Sequence, residues 1–274
     1  MRWAESGAEA MARGLFAALF LLLAIGSARA EPSASVFLED LTWTELRADI
    51  AAGKTTIIVP IGGTEQNGPQ MALGKHNVRA NLLSERIARA LGNALVAPVV
   101  AYVPEGEVDH PSGHLKFPGT ITVPKGAFEA MLAEAAKSFR LAGFRDIVFL
   151  GDHGGYQKSL QVVAERLDRE WAASRVRAHA IEEYYRAGET EFGRLLKSRG
   201  YSENEIGTHA GLLDTALMMG VDPGMVRTDL LGETKPGDGV RGDPRRASAA
   251  LGRLGVELVV ARTVAAVKQA TARD

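Results

Sequence analysis

Cysteine is absent from this 274-residue chain, which excludes disulfide stapling, thiolate nucleophiles and thiolate-ligated metal centres. Charge of one sign is also lacking. The 32 Lys and Arg against 33 Asp and Glu leave a net charge of −1, and no basic run offers a polyanion a footprint, so nucleic acid is not an expected partner. Gly 30 and Pro 11 follow no period or tract, which removes collagen-like and low-complexity readings. With 46% hydrophobic and 24% charged residues, the composition is that of an ordinary packed core.

The N-terminal residues carry an apolar run that falls short of a bilayer span. Residues 15–25, LFAALFLLLAI, are preceded by Arg13 and followed by Gly26, Ser27 and Ala28-Arg29-Ala30. A membrane helix needs roughly 20 apolar residues, so this run reads instead as a secretory signal cleaved after Ala30, with small residues at −3 and −1. Glu5 and Glu9 suit a signal poorly, which points to Met11 as an alternative start; an uncleaved anchor is the other reading of the same run. The expected division is a signal peptide over 1–30 and one domain over 31–274, with a mature net charge of −2, a periplasmic or secreted location and no membrane attachment after cleavage. Without Cys, a metal site in an exported chain must use His, carboxylate and amide ligands.

Residues 41–52 have helical spacing, 55–61 form a β-branched run suited to a buried strand, and a helix runs from 77 to a Gly92-Asn93 stop. A strand is expected over 95–100, a long Pro- and His-bearing loop over 102–119, a helix from Pro124 to about 141, a strand over 146–150, a helix over 157–171, a strand over 176–181 and a closing helix over 245–270. Strands alternating with helices predict an α/β fold with a mostly parallel sheet covered on both faces. Ligands in such sheets gather at strand carboxyl ends, where the polar loops of this sequence begin.

The chain has no G-x-S-x-G elbow and no G-x-G-x-x-G frame after a strand, so serine hydrolase and dinucleotide-binding readings fail. What remains is a set of His and carboxylates: Glu65 and His76 around one post-strand loop, His153 between a strand and two glycines, and His209 with Asp214 further on. Those residue types suit a divalent metal.

Residues 58–77, IVPIGGTEQNGPQMALGKHN, resemble the signature of the creatininase (creatinine amidohydrolase) family. Four further blocks match in order: His114-x-x-Phe117-Pro118-Gly119-Thr120, Gly151-x-His153-Gly154-Gly155, His209-Ala210-Gly211-x-x-Asp214-Thr215, and Gly239-Val240-x-Gly242-Asp243-Pro244-x-x-Ala247. The resemblance spans about residues 41–252 and implies a three-layer α/β/α sandwich, a homo-oligomer, usually a hexamer, and a metal centre that hydrolyses amide C–N bonds, cyclic amides among them. It sets Glu65 and His153 at metal-ligand positions and pairs His209 with Asp214 as the catalytic or second-metal element, where many members carry Glu in place of Asp214.

Two departures stand out. Asn67 occupies the usual His, and His76 the usual Asp that bridges two metals. A neutral amide is a poor zinc ligand and an imidazole does not bridge cations as a carboxylate does. The expectation is therefore one divalent ion per chain, Zn²⁺ ahead of Mn²⁺, on Glu65, His76 and His153, with Asp214 as the remaining family-derived ligand. His209 and Asp214 are the acid/base candidates, Asn67 donates to the oxyanion or substrate, and His114 lines the pocket or supports its loop. His110 and His179 are expected not to ligate. The expected substrate is a small amide; the reading from another class is a non-catalytic exported metal- or ligand-binding protein on the same fold.

Overall fold

The computed structural model describes residues 34–272. The apolar run at 15–25 and the cleavage motif before Glu31 lie outside the described residues. No described helix is long and apolar enough to cross a membrane.

Helix α1 (Trp43–Ala51) starts on a capping box in which the Thr42 hydroxyl accepts from Glu45 N while the Glu45 carboxylate accepts from Thr42 N. Strand β1 (Thr56–Ile61) is buried on both faces, as a continuous β-branched run in a parallel sheet should be. Helix α2 (Lys75–Leu91) ends at Gly92, whose φ of 80° is a left-handed conformation open to glycine. The remaining elements that frame the sheet are β2 (Ala94–Val96), α3 (Lys125–Ala142), β3 (Asp146–Gly151), α4 (Gln157–Glu170) and β4 (Arg177–Ala180). Four short helices follow: α5 (Glu182–Arg186), α6 (Phe192–Ser198), α7 (Glu203–Ile206) and α8 (Leu212–Val221), with a π-helical turn at Ala187–Glu191. The closing helix, α9 (Ala249–Thr271), is capped by the Ser248 side chain and begins four residues later than its sequence pattern suggested, because Pro244–Arg246 form a separate 3-10 turn.

The sheet is parallel throughout, in the order β2-β1-β3-β4. Its two faces are covered separately. Ile58, Val96, Val148 and Leu150 pack with Leu83 and Ile87 of α2 and with the α8 and α9 side chains Leu217, Val256 and Val259. Ile57, Val59, Ile147 and Phe149, which alternate with them along the strands, pack with Phe128 and Leu132 of α3 and Leu160 and Val163 of α4. This is the parallel sheet covered on both faces that the pattern predicted, and the three-layer α/β/α sandwich that the resemblance implied. One strand is shorter than expected: β2 stops at Val96, and past it the chain meets β1 through Ala97 N, which donates to Ile58 O at 2.8 Å, and a bridge from Val100 to Ile61. Pro60 and Pro98 each lack an N–H for the ladder at that point.

The order 2-1-3-4 fixes where a ligand can sit. β1 connects outward to β2 and β3 outward to β4, so their carboxyl ends part from each other and leave a crevice at the switch point. Tyr156 closes the floor of that crevice: its hydroxyl accepts from the N–H groups of Asp152 and His153, both at 3.1 Å, and faces the carbonyls of Ile61 at 2.7 Å and Gly62 at 2.6 Å.

Candidate metal centre

Glu65 enters the crevice from the loop after β1. That loop needs its glycines: a Cβ on Gly62 would lie 2.7 Å from Cα and 2.8 Å from N of Asn77 in α2, and Gly63 has a φ of 144°. Asn77 holds the turn, accepting from Gly63 N at 2.9 Å and donating to Thr64 Oγ1 at 3.1 Å. The Glu65 carboxylate is fully buried. Its Oε1 takes His76 Nε2 at 2.9 Å, and its Oε2 has no hydrogen-bond partner.

That orphan oxygen faces two imidazoles. His153 Nε2 lies 3.5 Å from it and His114 Nε2 3.6 Å. The three atoms belong to a cluster whose ligand atoms all fall within 4.8 Å of one another, the spacing at which one cation can meet all three. A buried carboxylate oxygen without a donor is costly unless something cationic meets it, and two His plus one carboxylate is a shell that suits zinc. The residues present therefore fit a divalent metal ion.

Electrostatics keeps the set in ligand form. Burial pushes the Glu65 carboxyl up, but the hydrogen bond and charge of His76, aided by His153 and Lys75, outweigh it and hold the group below the usual carboxylate range. Burial drives His153 down to about 4 and lowers His114, so both imidazoles are neutral at pH 7.

His76, placed in the ligand set by sequence, stands at the first turn of α2 with both nitrogens on carboxylates: Nδ1 to Asp152 Oδ2 at 2.6 Å and Nε2 to Glu65 Oε1 at 2.9 Å. Burial and Lys75 pull its pKa down, yet Asp152 and Glu65 raise it overall. Asn67 is buried; its Nδ2 donates to the carbonyls of Glu65 at 2.9 Å and Ala72 at 3.4 Å, and its Oδ1 has no hydrogen-bond partner. Asp214 lies on α8 inside an ion-pair network. Lys75 Nζ bonds Asp214 Oδ2, Arg79 donates to its Oδ1 at 2.8 Å, and Ala210 N donates to Oδ2 at 3.0 Å. Burial raises the Asp214 carboxyl, but Lys75 and Arg79 hold it well below its ordinary range, so it carries no proton to donate.

His209 lines the same cavity, its ring 4.3 Å from that of His114 and its Nε2 3.0 Å from the Gln66 carbonyl. Its Nδ1 is 3.8 Å from Glu65 Oε1, and burial, with Lys75, lowers it to about 4. The cavity has a volume of about 140 Å³ and also reaches Tyr185, Glu189 and Arg241. His110 is exposed and His179 pairs with Asp146 at 3.1 Å outside the cavity, so neither joins the cluster.

Sequence reasoning singled out Glu65, His153 and His209 and the structure brings them together, with His114 completing the group. It passed over Lys75, Arg79, Asp152 and Glu189. Lys75 and Arg79 lie four apart at the start of a helix, a spacing read as a solvated face unless the helix end is known to be buried. Glu189 sits in the π-helical turn, where burial and then Asp214 raise its carboxyl to about 7; π-turns often mark functional positions, but no sequence period announces one.

Comparison with known proteins places the chain in a family. The sequence profile of the creatininase family (creatinine amidohydrolase) matches residues 39–267. The creatinine amidohydrolase of Pseudomonas putida is 26% identical over 219 residues, 74% of this chain and 78% of that protein. The mycofactocin precursor peptide peptidase of Mycobacterium tuberculosis (strain ATCC 25618 / H37Rv) is 30% identical over 212 residues, 72% of this chain and 78% of its own length. A solved creatininase mutant of Zn-Zn type superposes with a TM-score of 0.71 at 23% identity, covering 88% of this chain and 100% of that one, a likeness of fold. With the profile running through β1 to α9 and the family's blocks meeting at one crevice, this chain belongs to the creatininase family.

Proposed function

We propose that this chain is a metal-dependent amidohydrolase of small amides, holding one divalent ion, zinc ahead of manganese, on Glu65, His114 and His153. The observation that carries the reading is the buried, partnerless Glu65 Oε2 facing two neutral imidazole nitrogens at 3.5 and 3.6 Å. The sequence-derived set and this one share Glu65 and His153; His114 takes the third place because both nitrogens of His76 are held by carboxylates. The hydrolase names of the relatives support the reaction class, and the zinc of the solved creatininase supports the metal.

A divalent ion at such a site supplies Lewis acidity toward a carbonyl and a water nucleophile near neutral pH. The chain's own groups divide the proton work. His209, neutral and lining the cavity, accepts a proton at Nδ1, the nitrogen left free when Nε2 donates to the Gln66 carbonyl. Glu189, raised to about 7, retains a proton for the leaving nitrogen, a step Asp214 cannot serve while Lys75 and Arg79 keep it ionised. Asp152 accepts from Arg79 and Tyr184 and takes His76 Nδ1, which fixes the ring that braces Glu65.

A panel of cyclic amides, N-acyl amines and dipeptide amides, assayed with the zinc- and manganese-loaded protein, tests the reading. Turnover of at least one class, lost in His153→Ala, is expected. Metal uptake with no turnover across the panel favours the non-catalytic binding reading instead. Export after cleavage at Ala30 and assembly into a homo-oligomer belong to the same proposal and rest on the N-terminal motif and the family resemblance.

A further inference from the structure

His153 is bracketed by two buried carboxylate oxygens that both lack a donor. Glu65 Oε2 stands 3.5 Å from Nε2, and Glu105 Oε1 stands 3.5 Å from Nδ1. Glu105 comes from the long loop between β2 and α3, and its side chain is only 2% exposed. The backbone there is fixed: Glu105 N donates to Thr122 Oγ1 at 2.9 Å, and the same hydroxyl donates to Gly106 O at 2.9 Å.

Without an ion, the His153 Nδ1 lone pair accepts from Gly155 N at 3.1 Å, which leaves the ring proton on Nε2. An imidazole that ligates through Nε2 must carry its proton on Nδ1 and needs an acceptor for it. Gly155 N–H is a donor and cannot serve. We propose that Glu105 is the positioning residue of the metal centre: its Oε1 receives the His153 Nδ1 proton when Nε2 turns to the ion, and the Gly155 contact is given up. This inference rests on the metal reading above.

The test pairs Glu105→Met, which keeps length but has no acceptor oxygen, with Glu105→Gln, which keeps one. Zinc affinity is read by competition with a chromophoric chelator, and folding by circular dichroism of the metal-free proteins. Glu105→Met is expected to bind zinc 10- to 100-fold more weakly than wild type and Glu105→Gln to fall between them. In the zinc-loaded wild type, ¹⁵N spectra of labelled histidine are expected to show His153 protonated at Nδ1. Affinities of both variants within threefold of wild type, or His153 protonated at Nε2 in the loaded protein, overturn the role of Glu105 while leaving the metal site standing. A wild-type protein that takes up no zinc overturns the metal reading and this inference together. Should the Met variant not fold, the spectrum of the loaded wild type decides.

Discussion

At the scale of single residues, burial separates the groups that hold a ligand from those that hold each other. Glu65 is buried with an unsatisfied oxygen that the half-buried His153 faces, whereas Asp214 is buried with each of its oxygens already bonded. The consequences differ in kind. Asp214→Asn leaves the Lys75 ammonium, 1% exposed, without its counter-charge; breaking a buried pair in that way costs about 3–5 kcal/mol. Urea unfolding of the metal-free variant should show that loss while zinc affinity stays within a few-fold of wild type, and a folded variant of normal stability that has lost its zinc would instead make Asp214 a ligand. His114→Ala should lower zinc affinity more than His76→Ala, since the first removes a donor and the second an outer support. Reversed ranks in a chelator titration would return His76 to the ligand set.

At the scale of elements, the ends of β1 and β3 must stay in register for Glu65 and His153 to meet, and one phenol hydroxyl links them. Tyr156→Phe removes that link and leaves the Gly62 carbonyl and the His153 N–H without it, while the Ile61 carbonyl keeps the Asp152 N–H at 2.9 Å, at a cost of about 1–3 kcal/mol. Denaturation should report this loss together with weaker zinc binding. A second element-level effect is pH-dependent. His209 falls to about 4 in the fold against an ordinary value near 6.5, so between those values the unfolded chain binds a proton that the folded chain refuses. Stability contributed by neutral His209 is present above about 6.5 and lost as pH falls toward 4. In His209→Gln the slope of metal-free stability against pH over that window should be shallower, by at most one proton, ~1.4 kcal/mol per pH unit; identical slopes contradict the assignment. These elements were largely legible in the sequence because buried parallel strands announce themselves as apolar runs and Gly92 marks a helix end. The 182–244 stretch was not. Its helices are short, one turn is π-helical, and Lys75 and Arg79 look like surface charges until tertiary contact places Asp152 and Asp214 against them. The site followed the same division: loop ligands after strands were readable from motifs, but which nitrogen of His76 or His114 faces which oxygen is decided by packing across the crevice.

At the scale of the whole molecule, the charge inventory of the cavity favours a single ion. Asp152 and Asp214 are neutralised by Arg79 and Lys75, and His76 spans Asp152 and Glu65, so these groups, which a second cation would need, already have partners. The proposed export rests on the apolar run at 15–25 and Ala28-Arg29-Ala30; intact-mass analysis of the protein from its native host should find a chain beginning at Glu31, and a cytoplasmic chain retaining Met1 or Met11 contradicts export. The central claim is one divalent ion on Glu65, His114 and His153. Elemental analysis of the purified protein after loading with zinc and dialysis tests it most directly, alongside His153→Ala. One tightly held ion per wild-type chain and none in the variant is the predicted result; two tightly held ions in the wild type, or one retained in the variant, would contradict it.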